Sequence, residues 1–86
     1  MIDSEFERAQ VEVKQLPRTP TNDELLELYA WFKQATVGDN RGKRPGMLDL
    51  KGRAKFDAWA RRSNTPTDVA KQEYVALVAR LKSKYH

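Results

Sequence analysis

Four stretches of the chain repeat apolar residues at intervals of three and four, and segments rich in proline, glycine or polar residues separate them. This spacing places the apolar side chains on one face of an α-helix, and no stretch shows the alternation of a half-buried strand. Helices with one apolar face each bury those faces against one another. The pattern therefore predicts an all-α fold, a four-helix bundle, with residues 1–86 forming a single domain.

The first two helices have recognisable ends. Asp3 or Ser4 can cap the first helix, which we expect to run to about Leu16, because the prolines within residues 17–20 cannot continue it. Thr21 begins the second helix in a capping-box pattern, with a carboxylate three residues on. Gly38 ends this helix.

Caps and periodicity also predict the last two helices. Asp49 can cap a third helix that runs to about Arg62. Thr65 can cap the fourth helix, with Pro66 at the first helical position. The fourth helix is the most periodic, and its apolar positions are Ala70, Tyr74, Leu77, Val78, Leu81 and Tyr85.

The loop between the second and third helices opens a basic region. Residues 41–62 hold eight bases and two acids, whereas residues 1–30 hold seven acids and three bases, although the net charge is only +4. Such asymmetry indicates an anionic partner that docks near the middle of the chain, although a merely solvated basic face is the simpler interpretation. Met47, Leu48 and Leu50 are apolar, and we expect them to tuck the loop onto the core.

Side chains suited to catalysis are scarce. The chain has no cysteine, and its one histidine is the terminal His86, where fraying is expected. No His or Cys cluster indicates a metal site, so we predict a protein that is not an enzyme and has no cofactor. The first residues have neither a basic start nor a long apolar run, so we expect a cytoplasmic protein without stable membrane insertion.

One stripe of the second helix suggests binding. Leu25, Tyr29 and Lys33 are spaced four apart and share a face. An aliphatic chain, an aromatic ring and an ammonium group in that order suit a ligand with an apolar end, a flat ring and a phosphate. By spacing alone, however, Tyr29 also fits a core position, and Lys33 also fits a solvated helix face.

Three runs in the middle of the chain carry a family resemblance. KQATVGD at 33–39, RPGMLD at 44–49 and KGRAKFDAW at 51–59 resemble the signature of the acyl-CoA-binding protein family, and the similarity extends without a gap from about Phe6 to Tyr85. The resemblance implies an up-down-down-up bundle with its ligand in a shallow bowl. It also implies a non-catalytic carrier that binds and buffers medium- and long-chain fatty acyl-CoA esters and delivers them to enzymes.

The resemblance also implies which residues contact such a ligand. Tyr29 would sit by the adenine ring, Phe32 and Lys33 beside the nucleotide, and Lys55 on a phosphate, with Lys33 near the 3′-phosphate. Phe32 stands where relatives often have tyrosine, so this chain would lack one hydrogen bond, of about 0.5–1.5 kcal/mol if neutral. The further implied contacts are Lys14, Lys51 and Tyr74 around the headgroup, and Leu25, Leu26 and Ala54 along the acyl chain.

Purely structural roles also remain open for several of these residues. Phe32 and Tyr74 fit core positions as well, and the lysines fit solvated helix faces. The resemblance favours the ligand roles, whereas we expect Trp31 and Trp59 to be packing residues.

Two other functions remain as alternatives. A small basic nucleic-acid-binding module is suggested by the basic middle segment and its interleaved aromatic residues. The acidic first part of the chain and the absence of a basic cluster on the second helix count against nucleic acid as a partner. A protein–protein adaptor is the third reading. The favoured interpretation is a monomer that contacts acyl-CoA-using enzymes only transiently.

Overall fold

The computed structural model describes residues 1–86 and contains four helices joined by loops and turns. The helices are α1 (Ile2–Val13), α2 (Asn22–Thr36), α3 (Leu50–Ala60) and α4 (Thr67–Lys84). No residue lies in a strand, so the all-α prediction is confirmed.

Two of the predicted caps are confirmed. The hydroxyl of Thr21 accepts a hydrogen bond from the backbone N–H of Glu24 at 3.2 Å, and the Glu24 carboxylate accepts one from the Thr21 N–H at 2.9 Å. At α3, the Asp49 carboxylate accepts a hydrogen bond from the N–H of Gly52 at 2.9 Å. Each side chain satisfies a backbone donor that the first turn of a helix leaves free.

The predicted ends of α1 are wrong. The helix starts at Ile2 with Met1 in the capping position, so neither Asp3 nor Ser4 caps it. It ends at Val13 rather than near Leu16, because the next two residues make short bonds three residues back instead of helical ones.

The predicted start of α4 is also shifted. Pro66 is the cap of α4, because its backbone is extended and its carbonyl accepts the first helical hydrogen bond, from Ala70. Thr65 therefore lies outside the helix. Its carbonyl instead accepts a hydrogen bond from the Gln34 side chain at 2.8 Å.

Contacts between helices give the direction of each one. Asp3 pairs with Lys71 and Glu12 with Lys82, so α1 and α4 run parallel. Glu24 pairs with Lys84 and Glu27 contacts Arg80, so α2 and α4 run antiparallel.

The third helix follows the direction of the second. Lys55 lies over Tyr29, and Lys33 lies over Trp59, so the contacts advance together along α2 and α3. The two helices are therefore parallel, and the loop between them crosses the length of the bundle. The up-down-down-up arrangement is confirmed.

The core lies between α1, α2 and α4. Phe6, Phe32 and Tyr74 form an aromatic cluster with ring centroids 5.1–6.2 Å apart. All the predicted apolar positions of α4 are buried or packed on this core. By contrast, α3 packs against α2 alone and buries only Ala58, so its inner face beside α2 is left partly open.

The loop before α3 does not tuck its apolar residues inward, contrary to prediction. Met47, Leu48 and Leu50 are 77%, 100% and 76% exposed. Polar contacts hold this loop instead: Arg44 makes two hydrogen bonds to the carboxylate of Asp57, at 3.0 and 2.7 Å. The loop is thus held by polar bonds, and its apolar side chains face solvent.

Candidate functional site

A groove of about 740 Å³ runs between α2 and α3. It exists because α3 packs on α2 alone, which leaves the facing sides of the two helices open at one end. Two lysines line the groove and no acidic side chain does, so its charge suits an anionic ligand. The lining residues are Asn22, Leu25, Leu26, Tyr29, Leu50, Lys51, Ala54 and Lys55.

A second hollow, of about 330 Å³, lies where α2 faces the end of α1 and the middle of α4. Leu25 and Tyr29 line both hollows, so the two adjoin on either side of α2's exposed edge. Its one charged lining residue is the cation Lys14. The full lining is Val13, Lys14, Pro20, Leu25, Leu28, Tyr29, Phe32 and Tyr74.

The structure thus brings together most of the residues singled out in the sequence. In the groove lie the three aliphatic candidates together with Tyr29, Lys51 and Lys55. In the second hollow lie Lys14, Phe32 and Tyr74. Lys33 is the exception, because it lines neither hollow.

Lys33 instead belongs to a pair of lysine–aromatic contacts across the α2–α3 interface. The ammonium of Lys55 lies 5.2 Å from the ring centre of Tyr29, and that of Lys33 lies 5.0 Å from the ring centre of Trp59. Each helix contributes one ring and one lysine, four residues apart. The two contacts therefore lie one helical turn apart along the α2–α3 interface.

Trp59 is a residue of this region that sequence analysis assigned only to packing. Its ring lies under Lys33, and its indole N–H donates a hydrogen bond to the carbonyl of Gly38 at 2.8 Å. The signal was available in the sequence, because Trp59 follows Lys55 at the same spacing at which Lys33 follows Tyr29. Asn22 and Leu50 were missed as well, and no local pattern marks them as groove residues.

Tyr74 and Phe32 serve the core and the second hollow at once. Tyr74 is 4% exposed and packs edge-on against Phe6. Burial raises the pKa of the Tyr74 hydroxyl, so this group stays protonated and can donate a hydrogen bond. Phe32 packs beside it and offers only a ring face.

A buried polar network fixes the end of α2, next to Lys33. The side-chain amide of Gln34, 1% exposed, donates to the carboxylate of Asp39 at 2.9 Å and to the carbonyl of Thr65. The same carboxylate accepts a hydrogen bond from the N–H of Asn64 at 2.8 Å. These bonds, with the amide of Gln34 the larger cause, lower the pKa of Asp39, which stays ionised.

The groove lining contains no aspartate, glutamate or histidine. No group of three or more His, Cys, Asp or Glu side chains is placed so that it could hold a metal ion. None of the four helices combines the length and the apolar character that crossing a membrane requires.

Comparison with known proteins points to a single family. The sequence model described as Acyl CoA binding protein matches residues 3–78. The chain is 47% identical to the acyl-CoA-binding protein homolog of Drosophila melanogaster over 85 residues, which is 99% of each chain. It is 54% identical to acyl-CoA-binding protein homolog 1 of Caenorhabditis elegans over 80 residues, which is 93% of each.

Solved structures give the same result for the fold. The crystal structure of Oryza sativa acyl-CoA-binding protein 2 superposes with a TM-score of 0.92 at 37% sequence identity, and the match covers 96% of this chain and 90% of that one. The family model and these relatives span nearly the whole sequence. The chain therefore belongs to the acyl-CoA-binding protein family.

Proposed function

We propose that this protein binds medium- and long-chain fatty acyl-CoA esters without transforming them, and so carries them and buffers their free concentration. The observation that carries the proposal is the α2–α3 groove, which is apolar at Leu25, Leu26 and Ala54 and is edged by lysines with no acid among them. One end of this groove suits an acyl chain, and the other suits an anionic headgroup. Membership of the family supports the same ligand.

Burial of the acyl chain supplies most of the affinity. Each methylene removed from water contributes about 0.8 kcal/mol, which amounts to roughly 10 kcal/mol for a long chain before ordering costs are subtracted. Leu25, 41% exposed, is the kind of surface side chain that such a ligand would cover. Affinity should therefore rise with acyl length until the groove is filled.

The lysines fix the headgroup. A contact between an exposed lysine and a ring contributes about 0.5–1 kcal/mol, whereas a hydrogen bond to a charged group contributes about 1.5–3 kcal/mol. Phosphate oxygens therefore outcompete the ring of Tyr29 for Lys55, and likewise the ring of Trp59 for Lys33. Once Lys55 moves to a phosphate, the face of Tyr29 becomes available for the adenine ring.

The remaining predicted contacts take secondary roles. Lys14 supplies a cation from the end of α1, and the hydroxyl of Tyr74 supplies a donor from α4. Phe32 supplies a ring without a hydroxyl, and Lys51 lies one turn before Lys55 along the groove.

For the whole protein, we propose a cytoplasmic monomer whose single domain needs no cofactor and performs no catalysis. Contacts with enzymes that use acyl-CoA would be transient, because a carrier has to release its ligand.

Calorimetric titration with palmitoyl-CoA, free CoA and palmitate tests the proposal. We expect palmitoyl-CoA to bind more tightly than free CoA or palmitate, because only the ester both fills the apolar groove and contacts the lysines at its edge. If palmitoyl-CoA binds no more tightly than palmitate, the proposal is wrong.

A groove-filling variant sharpens this test. Ala54→Phe places a ring in the groove, so it should lower the affinity for palmitoyl-CoA while leaving the affinity for free CoA nearly unchanged. Ala76→Phe, at an exposed position of α4 away from the groove, is the matched control and should leave both affinities unchanged.

A further inference from the structure

The groove between α2 and α3 is polar at both ends and apolar in the middle. The two helices are parallel, so the first groove residues of each lie at the same end. That end, the start of the groove, carries Asn22 and Lys51, whereas the opposite end carries Tyr29 and Lys55. Aliphatic side chains such as Ala54 line the stretch between them. A ligand that fills the groove therefore meets polar side chains at two places.

The start of the groove is separate from the end proposed for the headgroup. Asn22 precedes Tyr29 by seven residues, which is about 10 Å along a helix. Lys51 precedes Lys55 by four residues, about one helical turn. A headgroup held at Tyr29 and Lys55 therefore leaves Asn22 to another part of the ligand.

The cation at the start of the groove has no partner within the protein. Lys55 lies over the ring of Tyr29, but Lys51 lies over no aromatic ring, and no carboxylate is within ion-pair distance of it. The nearby Asp49 does not line the groove, and its carboxylate accepts the N–H of Gly52. The ammonium of Lys51 is thus free to pair with an anion that enters the groove.

The amide of Asn22 is free for a ligand as well. Asn22 is the first residue of α2, but the hydroxyl of Thr21 makes the cap of that helix. Leu50, next to Lys51, is 76% exposed, so this end of the groove is also open to water. A charged group can therefore reach it without losing all of its hydration.

We propose that the start of the groove is a second polar subsite, which binds the free carboxylate of an acyl chain that is oxidised at its far end. The ligand class is a dicarboxylic acid joined to CoA through one of its two carboxyl groups. The ammonium of Lys51 pairs with the other carboxylate, and the amide of Asn22 donates a hydrogen bond to it. The inference rests on the proposed function, because the acyl chain has to lie in the groove with its headgroup at Tyr29 and Lys55.

The charges of the groove favour a carboxylate over other polar chain ends. No acidic side chain lines the groove, so nothing in it repels an anion. A hydroxyl would gain only neutral hydrogen bonds, and a cationic chain end would be repelled by Lys51.

The separation of the two polar ends also predicts a length requirement. A dicarboxylic chain that is too short leaves its carboxylate among the aliphatic side chains at the middle of the groove, where the charge has no partner. Only a chain that reaches Lys51 and Asn22 avoids that penalty. A simple acyl chain has no such requirement, and its affinity rises with length until the groove is filled.

Calorimetric titration with matched pairs of esters tests the subsite. Each pair is a dicarboxylic ester and the simple acyl-CoA of the same chain length, up to hexadecanedioyl-CoA and palmitoyl-CoA, and the readout is the ratio of the two affinities. In the wild type we expect this ratio to peak at one chain length. At the peak, Lys51→Met should lower the ratio about fivefold, which is the upper range for an exposed ion pair. Lys51→Arg should restore it, and Asn22→Leu should lower it by a smaller factor.

The matched control is Lys43→Met, which removes the same charge from the loop before α3, outside both hollows, and should leave the ratio unchanged. The ratio isolates the chain end, because a headgroup role for Lys51 would weaken both esters of a pair equally. Such an equal loss in Lys51→Met would overturn the subsite, as would a wild-type ratio without a peak.

The same titrations separate the subsite from the carrier function. If palmitoyl-CoA binds but the ratio does not respond to Lys51→Met, the subsite is wrong and the carrier function stands. If palmitoyl-CoA does not bind to the wild type, the carrier function is wrong, and the subsite fails with it.

Discussion

At the scale of single residues, the α2–α3 interface alternates cations and rings. Tyr29 and Lys33 on one helix face Lys55 and Trp59 on the other, with ammonium-to-ring distances of 5.2 and 5.0 Å. Such contacts restrict long, mobile side chains at little cost in solvation. If the two lysines bind phosphates as proposed, less side-chain entropy is lost on binding, because both side chains are already restricted.

Removing either lysine should weaken ligand binding without unfolding the protein. We expect Lys33→Ala and Lys55→Ala each to cost about 1.5–3 kcal/mol of palmitoyl-CoA affinity, the scale of a hydrogen bond to a charged group. Thermal melting should change little, because Lys55 is exposed, Lys33 is half-buried and neither lysine forms an ion pair. Calorimetry and melting of the same samples measure both quantities.

Lys43→Ala is the matched control, since Lys43 lies in the loop and lines neither hollow. If Lys33→Ala binds palmitoyl-CoA as tightly as the wild type does, Lys33 is not part of the binding site. This variant is the more informative of the two, because Lys33 lines neither hollow.

Sequence analysis at this scale works best where a residue's position depends on its own helix. Spacing placed Leu25 and Tyr29 on one face, the family resemblance added Leu26, and all three line the groove. Their roles in ligand binding stay predictions. Trp59 was assigned only to packing. Its spacing from Lys55 was visible in the sequence, but its contacts with Lys33 and Gly38 join residues more than twenty positions apart, so the spacing did not show what the ring meets.

At the scale of elements, helix ends depend on a few backbone positions. The residue Gly38, just after α2, has φ of +94°, a conformation that residues with a side chain rarely adopt. Its N–H closes the end of α2 by bonding to the carbonyl of Lys33 at 3.2 Å. The glycine therefore lets the chain leave the helix towards Asp39 and the crossing loop.

Replacing this glycine should lower stability through backbone strain alone. A Cβ at Gly38 would meet no atom within 4 Å, so Gly38→Ala should cost about 1–2 kcal/mol of unfolding free energy from its conformation. Gly46→Ala is the control, because Gly46 is equally open but does not have a positive φ. Urea denaturation of both variants measures the difference, and equal effects would rule out the strain explanation.

Helix starts show what local sequence can and cannot predict. The caps at Thr21 and Asp49 were predicted correctly because the donor and acceptor lie three residues apart. The cap at Thr65 was predicted wrongly. Its carbonyl accepts a hydrogen bond from the side chain of Gln34, thirty-one residues away in the chain, and the carbonyl of Pro66 accepts the first helical bond instead. Competition from a distant partner leaves no mark on the local pattern.

At the scale of the whole molecule, one carboxylate joins the beginning of α2 to the end of α4. Glu24 completes the capping box of α2, and it also accepts hydrogen bonds from the ammonium of Lys84 and the hydroxyl of Tyr85. The bonds from Lys84, then Tyr85, then the Thr21 N–H lower the pKa of Glu24 to about 2. The contact thus ties two chain segments sixty residues apart.

This tie should give stability a defined pH dependence. Because the folded pKa is depressed, the contribution of Glu24 is present above its ordinary pKa of 4.5 and is lost as the pH falls towards 2. Glu24→Gln should therefore melt at a lower temperature than the wild type near pH 7, and the difference should shrink as the pH falls through that window. Melting curves across the window measure it.

A gap between the two proteins that stays constant with pH would show that the ionised carboxylate is not the cause. Glu73→Gln, at an exposed position of α4 where no ion pair forms, is a suitable control and should leave the pH profile unchanged.

The bundle itself could be predicted from apolar periodicity, but the exposure of the loop before α3 could not. Apolar residues such as Leu48 suggest burial, but the loop is held by polar contacts such as that of Arg44 with Asp57. Those contacts pair positions from two different segments.

The isolation of α3 has a consequence for how the protein accommodates its cargo. Because α3 contacts only α2 and contributes no residue to the core cluster, it can shift outward while the packing of the other three helices stays intact. The spacing between α2 and α3 can therefore change without disturbing the aromatic cluster between the other three helices. Fatty tails of different girth or length would be admitted by adjusting that spacing, at the expense of few native contacts.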